Sequence, residues 1–175
     1  MSLPRIRQLE SIGPRELAGL CDVLIDCVEG GASVSFMWPM TRQKAESYWR
    51  DVAQSLARGE RAVIIAEDQR GEFMGTVQAV WAGPENQPHR ADISKMLVRR
   101  NARRHGVGAL VLAAAERAAR HAGRTLLVLD TASPEAERLY ERGGWRRVGV
   151  VPKYALMPDG AFCSTVFFYK DLAQG

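Results

Sequence analysis

The chain has 175 residues, 46% hydrophobic and 25% charged, a length that suits one domain over 1–175 with a sizeable buried core. Its formal charge of +4 is modest, and four arginines fall between Arg99 and Arg104. Such an excess at one spot fits an anionic small ligand better than nucleic acid, for which interleaved aromatics would be expected. Three cysteines (Cys21, Cys27, Cys163) cannot all pair, and no Cys-x-x-Cys or His-x-x-x-His spacing offers a metal site. The start, MSLPRIRQLE, has no apolar leader core, and no apolar run nears the ~18 residues that cross a bilayer. The expectation is a cytoplasmic protein with reduced thiols, no metal and no membrane partner.

In chain order, Arg5 to Leu9 alternates as a first strand, and Pro14 to about Val28 spaces Leu17, Leu20, Cys21, Leu24, Ile25 and Val28 as one helix face. Gly30-Gly31 ends it. Ala32 to Met40 crowds Phe36, Met37 and Trp38 into a connection, where apolar side chains either cap the core or line a pocket; Phe36 and Trp38 are candidate substrate contacts. Thr41 suits the N-cap of a second helix through about Ala57. The period then changes. Ala62 to Ala66 is a continuous apolar run, Phe73 to Trp81 its hairpin partner with Gly75 as a bulge candidate, and His89 to Val98 the next strand.

The stretch from Ile93 to Ala115 organises the rest. An apolar triplet (Met96, Leu97, Val98) leads through Arg99, Arg100, Arg103, Arg104 and His105 to Gly106-Val107-Gly108, which opens a helix ended by Gly123. Glycines allow close backbone approach, a helix start offers unpaired N–H groups, and arginines add charged donors, so the order predicts a diphosphate ligand. Thr125 to Asp130 reads as a buried strand, parallel to its predecessor because a helix crosses between them. Ser133-Pro134 fits the start of a short helix carrying Ala136, Leu139 and Tyr140. Trp145 to Val151 and Phe162 to Lys170 close the sheet, joined by a loop containing Tyr154 and Pro158-Asp159-Gly160.

The pattern Arg103-x-x-Gly106-x-Gly108 after a strand resembles the acetyl-CoA pyrophosphate signature of the GNAT N-acetyltransferase superfamily. Ser133-x-x-Ala136-x-x-Leu139-Tyr140-x-x-x-Gly144-Trp145 is similar to its second motif, with Ser for the usual Asn and Trp for the usual Phe. Leu129-Asp130-Thr131, the Pro-Asp-Gly loop and Phe167-Phe168-Tyr169-Lys170 resemble the small-molecule acetyltransferases of the tabtoxin-resistance type. The resemblance implies an α/β fold with a mixed, centrally splayed β-sheet and helices on both faces. It further implies acetyl-CoA as donor, with the backbone of Met96, Leu97 and Val98 holding the pantetheine. Arg103, Arg104, His105, Gly106, Val107, Gly108 and Ala109 would surround the pyrophosphate, and Ser133, Ala136 and Tyr140 would complete the cofactor site. A homodimer is a family-level expectation.

Acetyl transfer to an amine needs a neutral amine, stabilisation of the oxyanion and protonation or tolerance of the leaving thiolate. An α-amine titrates near about 7.7 to 8 and lysine near about 10.4, so a base or water chain must act at neutral pH. Asp92 is the first candidate, expected by period two to share a sheet side with Val98, and Asp130, ending the adjacent strand, is the second. The resemblance places the Tyr140 phenol near the CoA sulfur as general acid. The acceptor would be a primary amine on a small molecule, an amino-acid-like metabolite or an antibiotic or toxin, met by Phe36, Trp38, Asp130 and Tyr154. The alternatives are a protein or peptide amine, or an acyl-CoA sensor without catalysis. A Rossmann site is disfavoured because Val111 stands where a third glycine belongs and antiparallel strands precede the loop.

Overall fold

The computed structural model describes residues 3–173. Strands β1 (Arg5–Gln8), β2 (Arg61–Glu67), β3 (Phe73–Trp81), β4 (Arg90–Val98), β5 (Leu126–Thr131), β6 (Arg146–Leu156) and β7 (Phe162–Asp171) form one sheet. Its order is β1-β2-β3-β4-β5-β7-β6. Helices α1 (Pro14–Glu29), α2 (Arg42–Ala57), α3 (Val107–His121) and α4 (Pro134–Arg142) connect them. The local signals act as the sequence reading expects. The Thr41 side chain accepts from Lys44 N at 3.2 Å to cap α2, and Ser133 accepts from Ala136 N at 3.3 Å to cap α4, with Pro134 in the first turn where its missing N–H costs nothing.

The centre of the sheet, β2 and β3 above all, is buried on both faces, and alternation along the central strands sorts side chains between two cores. Val63, Ile65, Phe73 and Leu97 pack with α1 and α2 through Leu20, Leu24, Val28 and Trp49. Ile64, Val77, Ala79, Ile93 and Leu127 pack on the other face with α3 and with Tyr140 of α4. The mixed sheet with helices on both faces is therefore present.

Every strand pairing is antiparallel except β4 with β5, which are joined by the α3 crossover. That pairing is short. It covers only Arg90–Asp92 against Leu126–Val128, although β4 continues to Val98 and β5 to Thr131. Beyond Asp92 and Val128 the two central strands no longer bond, and their backbone N–H and C=O groups are left for something else to meet.

Two expectations about strands are corrected. First, β4 carries a bulge: Leu97 faces Thr76 and Ser94 faces Gln78, so Lys95 and Met96 together oppose Val77. The extra residue reverses the alternation. Asp92, opposite Val80, lies on the α1–α2 face with Leu97, whereas Val98 lies with the α3 core. Asp92 and Val98 therefore do not share a side. Second, Tyr154 belongs to β6, which runs on to Leu156. The sequence reading ends this strand at Val151 and places Tyr154 in the loop after it, yet the strand continues through Pro152 because β6 is the outer strand, where a missing ladder donor is tolerated. The register slips between Val151 and Ala155, and Tyr154 stands in that bulge.

Candidate active site

The splay between β4 and β5 leads at its open end to the arginine loop and the start of α3. Gly106 is the N-cap of α3 with φ 78°, a left-handed conformation that suits glycine. A Cβ built there would meet no atom within 4 Å, so the space in front of it is open. No side chain caps the helix, and its first turn holds no acidic residue. The first intrahelical bond at this end is Leu110 N to Gly106 O, at 3.2 Å, which leaves the N–H groups of Val107, Gly108 and Ala109 without helical partners. Arg103, Arg104 and His105 are exposed around it. Unpaired donors at the positive end of a helix, ringed by cations, fit a diphosphate.

The surrounding contacts fix this loop. Arg100 donates from its backbone N to Asp26 Oδ2 at 2.8 Å and from Nε to Asp26 Oδ1 at 2.9 Å. Burial pushes the Asp26 carboxyl up, but the Arg100 hydrogen bonds outweigh it and hold the group below its ordinary range. Arg103 Nε donates to Val98 O at 3.2 Å, and Cys27 Sγ reaches the same oxygen at 3.4 Å. Burial pushes the Cys27 thiol up to about 11, which makes it a packing residue rather than a nucleophile. Gly108 is half-buried, and a Cβ on it would come 3.2 Å from Leu139 Cδ2, so it lets α3 and α4 approach.

At the closed end of the splay, on the α1–α2 face, lie Asp92 and Asp130. Asp92 pairs with Arg90. Asp130 is exposed and accepts from Thr165 Oγ1 at 2.7 Å. Its charge reaches two neighbours, Lys95 and Tyr140. Tyr140 is 3% exposed, with its ring centroid 5.8 Å from those of Trp145 and Phe168. Burial, with Asp130 adding to it, pushes the phenol well above its ordinary range, so the hydroxyl keeps its proton at neutral pH.

The connection between α1 and α2 closes over this face. Trp38 N donates to Pro158 O at 3.1 Å and Ser33 Oγ to Leu156 O at 3.2 Å, tying the connection to the tip of the β6–β7 hairpin. Trp38 is half exposed, and its indole N–H donates to Val28 O at 2.8 Å, which anchors the connection to α1. Phe36 packs edge-on against Tyr48 at 5.3 Å. Tyr154 packs edge-on against Phe167 at 5.7 Å, and Phe167 stands directly across from Asp130 in the ladder.

Of the residues singled out from sequence, Asp130, Phe36 and Tyr154 are thus brought to the α1–α2 face beside the splay. Met96 and Val98 pack toward α3, and Leu97 is buried beneath α1. The Ser133 hydroxyl is occupied in capping α4 and in donating to Glu135 at 3.1 Å. Ala136 packs against the α3 core. Lys95, Ser35, Tyr48 and Thr165 were missed. Only Lys95 carried a signal, a cation directly before the apolar triplet Met96-Leu97-Val98.

A sequence profile described as the Acetyltransferase (GNAT) family matches residues 27–145. An uncharacterized N-acetyltransferase from the hisH-hisA intergenic region of Azospirillum brasilense is 29% identical over 127 residues, 71% of this chain and 73% of that one. Among solved structures, a ribosomal-protein-alanine N-acetyltransferase from Brucella melitensis superposes with TM-score 0.78 at 23% identity, over 96% of this chain and 99% of that one. A phosphinothricin acetyltransferase from Sinorhizobium meliloti, solved with acetyl-CoA, gives 0.83 at 16% identity, over 99% and 91%.

Proposed function

Because this chain belongs to the acetyltransferase (GNAT) family, we propose that it transfers the acetyl group of acetyl-CoA to the primary amine of a small, amino-acid-like molecule, a metabolite or an antibiotic or toxin. Residues 1–175 act in this reading as one catalytic domain, in the cytoplasm, where the donor is available. Among the described residues no helix is long and apolar enough to cross a membrane. A homodimer goes with it, formed along outer strand β6, whose Val148, Val150 and Val151 are exposed.

When bound, acetyl-CoA supplies an acetyl group already activated as a thioester. The N–H groups of Val107, Gly108 and Ala109, with Arg103, Arg104 and His105, would hold the diphosphate, and the β4 backbone from Met96 to Val98, on the side no longer bonded to β5, the pantetheine. Asp130 receives the acceptor's ammonium, orients it and takes its proton at a carboxylate oxygen; Asp92 is the alternative base. Tyr140, kept protonated by burial, returns a proton from Oη on the thiol side. Phe36, Trp38 and Tyr154 bound the acceptor and limit water.

The observation that carries the small-molecule reading is the roof. Trp38 N to Pro158 O and Ser33 Oγ to Leu156 O bridge the acceptor face from helix connection to hairpin, which suits an enclosed acceptor better than an extended peptide. The Brucella neighbour is named for a ribosomal-protein alanine, so peptide amines belong in the same test. Release of CoA thiol is measured with a panel of amino acids, other small amines and peptides, and products are weighed by mass spectrometry. Preference for small amines is the expected result. Preference for peptides would replace the acceptor class, and acetyl-CoA binding without any turnover would leave a sensor.

A further inference from the structure

The bulge in β4 holds Lys95 at φ 51°, a left-handed conformation uncommon for a lysine. Residues kept in such conformations are over-determined by their surroundings, and here the surroundings are the roof of the acceptor face. The Lys95 ammonium lies 5.8 Å from the ring centroid of Phe36 and 5.7 Å from that of Tyr48. It donates to Ser35 Oγ at 3.1 Å. Tyr48 is itself fixed from behind, its hydroxyl accepting from Gln78 Nε2 at 2.9 Å, while Arg61 Nη1 donates to Gln78 Oε1 at 2.7 Å. The cation is therefore positioned by a rigid platform and not by chance on a mobile stem.

Among the described residues its electrostatic demand is met only in part, by Ser35 and the two ring faces. An ammonium has three donors, and the neutral Ser35 hydroxyl fills one. Lys95 has no salt-bridge partner among the described residues, and Asp130, which acts on it from a distance, is hydrogen-bonded by Thr165 instead. Burial lowers the proton affinity of Lys95, with Asp130 opposing and Arg61 adding to the effect. A half-buried cation with unfilled donors is costly unless an anion arrives to complete it.

We propose that Lys95 binds a carboxylate on the acceptor while Asp130 meets its ammonium, so that the acceptor is an α-amino acid or an analogue keeping both charges. The assignment rests on the acetyltransferase reading above and narrows it. An ammonium–carboxylate pair in one small molecule matches a fixed cation and a fixed acid flanking one splay. The rings of Phe36 and Tyr48 contribute by excluding water from the pair.

The test compares L-amino acids with their carboxamides as acceptors, by CoA release, in wild type, Lys95→Gln and Lys95→Arg. Acetyl-CoA binding by calorimetry checks each variant. The carboxamide's amine loses its proton more readily, so intrinsic reactivity runs against the expected preference. Wild type should favour the free acids by about 10- to 100-fold in kcat/KM, chiefly through KM. Lys95→Gln should lose that preference, and Lys95→Arg should keep part of it because the charge remains. Equal use of acid and amide by wild type, or an intact preference in Lys95→Gln, would overturn the assignment and leave the acetyltransferase reading standing. Should Lys95→Gln fail to bind acetyl-CoA, the wild-type comparison decides alone. No release from any amine by protein that binds acetyl-CoA overturns both.

Discussion

In the proposed reaction Tyr140 and Asp130 divide the proton traffic, and each makes a separate prediction. The Tyr140 ring packs between Trp145 and Phe168, so Tyr140→Phe preserves the packing and removes only the hydroxyl. A thiol with an ordinary pKa of about 8.5 leaves tolerably unaided. The kcat should therefore fall by about 100-fold or less, with the KM for acetyl-CoA little changed and activity not abolished; steady-state kinetics on a fixed amine check it. For the base, single Asp92→Asn and Asp130→Asn variants should each leave residual activity, and the double variant should lose more than the product of the single losses. The kcat/KM profile should rise through an enzyme group as well as the amine, and the enzyme limb should move in the Asp130 variant. A profile that follows only the free amine's pKa in all forms would assign deprotonation to bulk water and leave Asp130 as a binding residue.

At the scale of elements, two glycines shape the candidate site. Gly75 sits where a Cβ would come 2.7 Å from Leu97 O, so its absence lets β3 run tight against β4 just beyond the bulge. Gly106 is the opposite case: a side chain there meets no protein atom, and only its left-handed backbone resists substitution. Gly106→Val should cost about 1–2 kcal/mol of stability from that strain, yet raise the KM for acetyl-CoA by about tenfold or more because the branch occupies the space in front of the helix start. Denaturant unfolding and kinetics together separate the two effects. On the far side of the sheet, Lys170 Nζ donates to Glu116 Oε2 and to Gly143 O, both at 2.7 Å, and Trp145 Nε1 donates to Glu116 Oε1 at 2.8 Å. This network joins α3, the end of α4 and β7 with little exposure of either charge. Lys170→Met should destabilise by about 3 kcal/mol by leaving the acid unpaired, and adding Glu116→Leu should recover part of the loss; urea midpoints decide.

For the whole molecule, acid should loosen the N-terminal side first. Glu67, with 5% of its side chain exposed, accepts from Arg7 Nε and Nη2 and from Arg15 Nη2 at 2.9 to 3.1 Å. The Arg7 hydrogen bonds hold its carboxyl below the ordinary range, against burial and with help from Arg15. A folded-state value below the unfolded one means that the unfolded chain binds the extra proton. The stabilisation is complete above the unfolded value of about 4.3 and fades as pH falls through the folded one. Asp26, held down by Arg100 against burial, works with the same sign. Melting temperature should drop between about pH 5 and pH 3, and Glu67→Gln should be less stable at neutral pH with a shallower pH slope. An unchanged slope would show that Glu67 is not among the groups responsible.

Much of the fold was legible because its signals are local. The period-3.6 stripe from Leu17 to Val28, the apolar run of β2, the caps at Thr41 and Ser133 and the left-handed glycine opening α3 each depend on residues within a few positions. The parallel β4–β5 pairing also followed, since a helical crossover between neighbouring strands permits little else. The bulge did not follow. No spacing rule puts a lysine at positive φ, and one extra residue in β4 was enough to move Val98 to the opposite face from Asp92. Nor did the continuation of β6 beyond Val151 follow, since it runs through Pro152, and a strand's tolerance for proline depends on being outermost, a property of the assembled sheet. The sequence determined the elements, their order and the loop that opens α3. Tertiary structure decided what stands around the splay: Ser35 with Lys95, Trp38 with Pro158 and Asp130 with Thr165 are 35 to 120 residues apart. Such contacts are chosen by how helices and hairpin pack over the sheet, which no local pattern of side chains records.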